Sequence, residues 1–457
     1  MGSFGRRVLW IAVVCAGWGC GASQARAPRA QPDVDYRLSA RFDPTERAVQ
    51  AVAKFHHSGT EQPLRFFLNH ALEVDAIFVD GRMCEFAWDD DARMEYVDAA
   101  RLVVAHCRHA QADALLEVRY HGVLGESYFD VNQLSDGLVE LAVYAAWYPI
   151  LHEGRSSFTY ELSVEVPTDY ISVSRGRLAD SQSAGDGYRR ERWVASIPGR
   201  DIPYFAARGA TRVRVEHGSA SLELVFRDFD HSHARRFVRS GRDSLAYFTH
   251  LFGEPRSSTL RLVLSPRGGW GYSRSGMVVM SEERAASQWT SPDPGEPADG
   301  LEHNLAHEIA HAWWSLADVD EDDWINEALA EYAATRDSER RNADRRIEWM
   351  RHFVASVSGR EAAPPILRTD ASSRFRYVNW YEKGALFFLC MEEEIGTDRL
   401  VSALRELHAE TVRGELRTAD LVARLEAAGA SQSWLRGWLH ESSTDPLVAC
   451  MRAHDAR

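Results

Sequence analysis

Lysine is nearly missing from this chain: of 53 basic residues only Lys54 and Lys383 are lysines, and the rest are arginines. Basic residues are also outnumbered by 67 carboxylates, which leaves a formal charge of −14. The few basic pairs, Arg340-Arg341 and Arg345-Arg346, lie in mixed-charge helical sequence rather than on a basic face. A protein that neutralises phosphates needs such a face, so nucleic acid is excluded as an expected partner. Cysteine is sparse as well. None of the six stands in the Cys-x-x-Cys spacing of a zinc knuckle, so no metal is assigned to thiolates. Nor is there a bilayer-spanning run, which takes roughly 20 apolar residues. No internal repeat is present. At 457 residues with 45% hydrophobic content, two or three domains with sizeable cores are expected.

The N-terminus carries a short apolar stretch, residues 8–19, behind Arg6-Arg7. A charged start before an apolar run too short to span reads as an export signal, placed here over residues 1–27. Residues 28–34 continue an Ala/Pro/Arg-rich, aperiodic linker. Two endings stay open. Gly19-Cys20-Gly21 suits a bacterial-type lipoprotein, with membrane anchorage through a lipidated Cys20, although Trp18 fits that pattern poorly. Ala25-Arg26-Ala27 suits ordinary cleavage and secretion, although Pro28 follows it. With Cys20 lipidated, Cys84, Cys107, Cys390 and Cys450 remain. Export permits disulfides, and of three possible pairings Cys84 with Cys107 is the local one.

From residue 35 to about 215 apolar and polar residues alternate in short runs, as in Tyr36-Arg37-Leu38-Ser39-Ala40-Arg41-Phe42. Period-two alternation means half-buried strands, so this part is expected to be all-β. One more strand is expected between 216 and 228. A helix should follow over about 231–252, then strands over 259–265 and 276–280. Residues 291–300, with three prolines and two glycines, form a loop, and the remainder reads mostly as helix. The expected organisation is α+β and multidomain: a β-rich domain over 35–215 and a catalytic domain over 216–457.

His307-Glu308-Ile309-Ala310-His311 is where the chemistry concentrates. Histidines at i and i+4 share one helix face and can hold one zinc ion, with the intervening Glu308 placed as a base. A catalytic zinc takes three protein ligands and keeps an open position. Leu301, Leu305, Ile309, Trp313 and Leu316 support the helix, and Asp299 can cap it. Downstream, Glu321-Asp322-Asp323-Trp324 is the acidic first turn of a second helix, which is expected to supply the third ligand.

These residues resemble the gluzincin aminopeptidases, the aminopeptidase N-like group. His-Glu-Ile-Ala-His-Ala-Trp-Trp followed by Trp-Ile-Asn-Glu-Ala-Leu-Ala-Glu-Tyr is similar to that family's His-Glu-x-x-His with a ligand Glu inside Trp-Leu-Asn-Glu-Gly-Phe-Ala. The resemblance implies Glu327 as the third ligand, with a connection shorter than usual; Glu331, one turn on, is the alternative. Trp380-Tyr381-Glu382-Lys383-Gly384 is similar to the family's Tyr-x-Lys-Gly helix start, which implies Tyr381 as the hydroxyl that supports the oxyanion; Tyr377 is the nearby alternative. One of the two lysines sits at the motif's Lys position. The resemblance further implies a saddle-like β domain ahead of a thermolysin-like, mainly helical catalytic domain. Residues 433–439 look like the end of that domain, and the additional C-terminal domains of larger members are expected to be absent. The cofactor implied is one zinc ion, and the substrate a peptide or protein.

The match weakens where that family binds a substrate's free amine. Glu140, ahead of Tyr148-Pro149, stands where one amine-binding carboxylate is expected. The second belongs to a Gly-Ala-Met-Glu-Asn strand, and the corresponding segment here, Gly271 to Met280, has Arg274 and no Glu. A guanidinium repels an ammonium. Glu282 and Glu283 substitute only if the register shifts. Zinc hydrolysis of peptides is therefore expected, with aminopeptidase-like specificity as one reading. An endopeptidase or another peptide-end specificity is the second, and a non-catalytic zinc-containing surface binding protein the third.

Overall fold

Strand Tyr36–Asp43 buries every second side chain, as its alternation requires. It pairs in parallel with Phe158–Pro167 and antiparallel with Ala48–His57 inside a ten-stranded sheet formed by strands between Tyr36 and Gly199. A second sheet of five strands includes Leu138–Leu141 and Tyr204–Arg208. The computed structural model describes residues 35–450 apart from 58–62, 95–96, 108–113, 126, 129–130, 152–156, 269–270, 275, 291–296, 316, 318–321, 359–363, 370–372, 412–415 and 443–449. The expected export signal and linker, with Cys20, lie outside these residues.

A third sheet runs in the order Thr211–His217, Ala220–Phe226, Thr259–Ser265, Met277–Ser281, Tyr272–Arg274. Its first strand spans the expected domain boundary near 215. The three central strands are parallel. A parallel neighbour requires a crossover, and the helix His231–Phe252 supplies one. Asp230 caps that helix by accepting from Ser232 N at 2.8 Å and His233 N at 3.1 Å. Strands Ala220–Phe226 and Met277–Ser281 are buried at every position. Both faces of these two strands are covered, which is why they read as continuous apolar runs. Leu222, Leu224, Leu262, Val278 and Met280 face the core shared with the helices. Val225, Val263, Met277, Val279 and Tyr272 face the core of the β-rich part.

From Gly300 the described chain is mainly helical, including Gly300–Ala310, Trp324–Arg341, Asp344–Ser358, Gly384–Ile395 and Thr397–Thr411. Cys84 pairs with Cys107, and Cys390 with Cys450. Glu85 lies opposite His106 across two strands, so Cys84 and Cys107 meet at the end of the ladder. Among the described residues no helix is long and apolar enough to cross a membrane.

Candidate metal centre

His307 sits in the last turn of Gly300–Ala310, and His311 stands at its C-cap. The helix stops there, short of Trp313, which packs on Phe248 while Trp314 packs on Phe252; Leu316 lies outside the described residues. Asp299 does not cap with its side chain. Its carboxylate instead accepts from the Trp349 indole at 3.2 Å and pairs with Arg341 and Arg345.

Each imidazole is fixed from behind. The Nδ1 of His311 lies 2.8 Å from the Trp314 carbonyl, and a carbonyl only accepts, so Nδ1 carries the proton. The Nδ1 of His307 lies 2.7 Å from Glu331 Oε2 and donates to it likewise. Both Nε2 atoms then point to the same place. Glu327, on the neighbouring helix Trp324–Arg341, presents its Oε2 to them at 3.4 and 3.5 Å. These distances are long for hydrogen bonds, and Glu327 Oε2 makes none. A tetrahedral ion with bonds of about 2.0–2.1 Å holds its ligand atoms about 3.3–3.4 Å apart. The three atoms lie within 4.8 Å of one another and form the set a catalytic zinc takes, two imidazoles and a carboxylate. The orphaned oxygen and the spacing both fit that ion.

Glu327 and Glu331, one turn apart, are turned to different positions. Glu331 lies behind His307, between it and His303, whose Nε2 is 2.7 Å from Glu331 Oε1. His303 is itself stacked on Trp349 at 3.6 Å between ring centres, with its Nδ1 3.2 Å from Ser338 Oγ. His303 was not singled out by the motif, although it stands one turn before His307 in the row 303, 307, 311. Asn326 accepts from Ala317 N at 3.1 Å and donates to Asp323 at 2.8 Å, which ties the shortened connection to the start of the Glu327 helix. Asp322 is drawn away to Thr418 N, 2.9 Å distant, and Glu321 lies outside the described residues.

Charge is concentrated here. Burial alone lowers the His307 pKa, but Glu327 and Glu331 outweigh it and raise it well above the ordinary imidazole value. His311 is raised by Glu327 against the same burial. Burial raises Glu327 and Glu331, yet their histidine partners hold both carboxylates below the usual range. Asp323 is pushed up to about 6 by burial and by Glu327. Burial also raises Glu308, which follows His307 on the same turn and whose Oε2 has no hydrogen-bond partner. A carboxylate whose pKa is raised takes a proton more readily, which suits a general base.

Tyr381 closes the other side. It lies in a π-helical turn, Tyr377–Lys383, that leads into the helix Gly384–Ile395. Its ring stacks parallel to His307 at 5.5 Å, and the exposed Tyr377 stacks on it from outside at 4.9 Å. The hydroxyl has no hydrogen-bond partner among the described residues, and burial beside Glu327 raises its pKa, so it stays a donor. Lys383 is buried and reaches the Glu441 carbonyl at 3.3 Å.

Two of the carboxylates weighed for a substrate amine, Glu140 and Glu282, are already engaged. Glu140 is fully buried, with both oxygens held by Arg267 at 2.8–3.0 Å and one by Ser265. Paired on both oxygens, it is set to hold Arg267 and does not stand as a free amine receptor. Glu282 accepts from Arg227 N and Asp228 N, away from the strand. Arg274 does lie beside the site: a Cβ on Gly271 would sit 3.7 Å from Glu308 Oε1, and the strand Tyr272–Arg274 follows directly. Its Nε donates to Asp201 at 3.2 Å, and Nη2 to the Tyr144 hydroxyl. Burial acts to lower its pKa, but Tyr144 and Asp201 outweigh that and keep it cationic.

No protein family and no curated protein matches the chain by sequence. Solved structures do match by fold. An M1 zinc metallopeptidase from Deinococcus radiodurans superposes with a TM-score of 0.69 at 16% identity, covering 90% of this chain and 95% of that one. A glutamate-to-alanine variant of it bound to a Tyr-Ser-Ala substrate matches equally well, at 16% identity over 90% and 94% of the two chains. A two-domain M1 zinc metallopeptidase variant bound to L-arginine gives a TM-score of 0.70 at 16% identity over the same shares. The chain therefore has the two-domain fold seen in M1 zinc metallopeptidases, a large β-rich part followed by a helical part.

Proposed function

We propose that this chain is an exported zinc metallopeptidase with a saddle-like β domain and a thermolysin-like catalytic domain. The observation that carries the reading is the set of three ligand atoms at zinc spacing with Glu308 beside them. His307, His311 and Glu327 would hold the ion. When bound, zinc supplies Lewis acidity, polarising a carbonyl and making water acidic near neutral pH. Glu308 takes the attacking water's proton and hands it to the leaving amine. Tyr381 donates to the oxygen on which negative charge develops. Glu331 and His311's carbonyl partner keep both imidazoles in the tautomer that presents Nε2. Export, and anchorage through Cys20 or release into the medium, rest on the N-terminal sequence alone.

Aminopeptidase-like cleavage is the first specificity to test, because peptides and free amino acids occupy the matching M1 structures. A second reading, an endopeptidase or another peptide-end specificity, is favoured by the committed Glu140 and by Arg274 in a degenerate amine-binding segment. Free and N-acetylated versions of the same peptides separate the two; equal rates would rule out the aminopeptidase. A non-catalytic zinc-containing binding protein is the remaining reading. It requires that the zinc-loaded protein hydrolyse nothing that Glu308→Gln then abolishes.

A further inference from the structure

We propose that Arg274 makes this site select a substrate carboxylate, rather than a free amine, close to the bond that is cut. The inference rests on the metallopeptidase reading and names the substrate class for the same site. Tyr272–Arg274 ends the third sheet among the described residues, and Gly271 places the start of this segment against Glu308. Arg274 is three residues further, about 10 Å along an extended chain, within one or two substrate residues of the reacting bond.

The guanidinium is held for recognition. Asp201, 2% exposed, takes Val143 N at 3.0 Å and the Tyr148 hydroxyl at 3.0 Å before it meets Arg274 Nε. Arg274 also lies over the rings of Tyr144 at 4.8 Å and Tyr272 at 5.6 Å. Nη1 donates once to the Ser273 carbonyl at 2.8 Å, and Nη2 once to Tyr144. A guanidinium has five N–H groups, so one on each terminal nitrogen has no partner among the described residues. These two donors are left for a carboxylate, and the side chain keeps 26% exposure to meet one. An ammonium finds a like charge here, and the carboxylates the β-rich part sends to this strand, Asp201 and Glu140, are already paired.

The carboxylate can belong to an acidic side chain or to a peptide's C-terminus. The test uses zinc-loaded Glu308→Gln protein and titration calorimetry with matched peptides. These are an N-acetylated neutral amide, the same peptide with one Gln→Glu change at successive positions, and the same peptide as the free acid. At least one carboxylate peptide should bind about tenfold tighter than the neutral amide, and which of them does so identifies the source. Removing the acetyl group should not improve binding. Adding Arg274→Gln should shrink the gap to under about threefold, with zinc content kept; Arg274→Lys should leave an intermediate gap, because it keeps charge but loses the fork. Equal binding of all the peptides, no binding, a preference for the free amine, or a gap that survives Arg274→Gln would overturn the proposal. Hydrolysis of the same peptides by the zinc-loaded wild-type protein is scored separately. Its absence defeats the peptidase reading, while the binding gap still judges Arg274.

Discussion

Two glutamates one turn apart on the same helix end in different places, and the histidines around them decide which goes where. Helical spacing puts Glu327 and Glu331 on one face, so the sequence left both as ligands in prospect. Glu331 is drawn back by His303 as well as His307, and Glu327 is left with the open Nε2 atoms. That choice depends on His303, one turn before His307, and on Trp349 of the helix Asp344–Ser358 stacked on it, neither of which the motif records. Glu331→Gln, which keeps shape but weakens the hold on His307 Nδ1, should lower zinc affinity about 10–100-fold in a competitive chelator titration. Tyr381→Phe removes only the hydroxyl; kcat should fall about 100-fold while KM changes little. A matched fall in zinc content would assign Tyr381 to the site's structure instead. Glu140 shows the opposite limit of sequence reading. Its chain position suggested a substrate carboxylate, but its partner Arg267 lies in a distant segment and could not be foreseen.

At the scale of elements, alternation and helical periodicity revealed the β-rich part, the crossover helix and the strands of the third sheet. They did not show that the histidine helix ends at Ala310, because the apolar period runs on through a turn that happens to pack the same way. Gly384 gives a physical reason for the glycine of the Tyr-x-Lys-Gly segment. A Cβ there would fall 2.6 Å from the Ala328 side chain, on the helix that carries Glu327. Gly384→Ala should therefore force the two helices apart, costing about 1–3 kcal/mol of stability in denaturant titration and weakening zinc binding together with it. An unchanged zinc affinity would show that the contact does not position Glu327. The π-helical turn just before Gly384 has no clear signature in sequence, yet it sets Tyr381 over His307.

For the whole molecule, the third sheet joins the two cores, one through each face, so strands and site are tied into one folded body over the described residues after 34. Its stability should depend on pH through the site itself. In the metal-free protein His307 and His311 have pKa values raised above the unfolded value of about 6.5. Their contribution is fully present below that pH and is lost as pH rises through the raised values. Zinc needs the same imidazoles neutral, so its affinity moves the other way. The gap in melting temperature between zinc-loaded and metal-free protein should widen as pH increases from 6 upward. A gap independent of pH in a thermal-shift series would contradict this picture of the site.

The central claim is a zinc-dependent peptidase site built on His307, His311, Glu327 and Glu308. Its most direct test is to measure zinc content and peptide hydrolysis side by side for the wild-type protein and for Glu308→Gln. One zinc per chain in both, with hydrolysis present in the first and reduced at least about a thousandfold in the second, is the predicted result. Zinc-loaded wild-type protein without hydrolysis, or hydrolysis that survives Glu308→Gln, would contradict it.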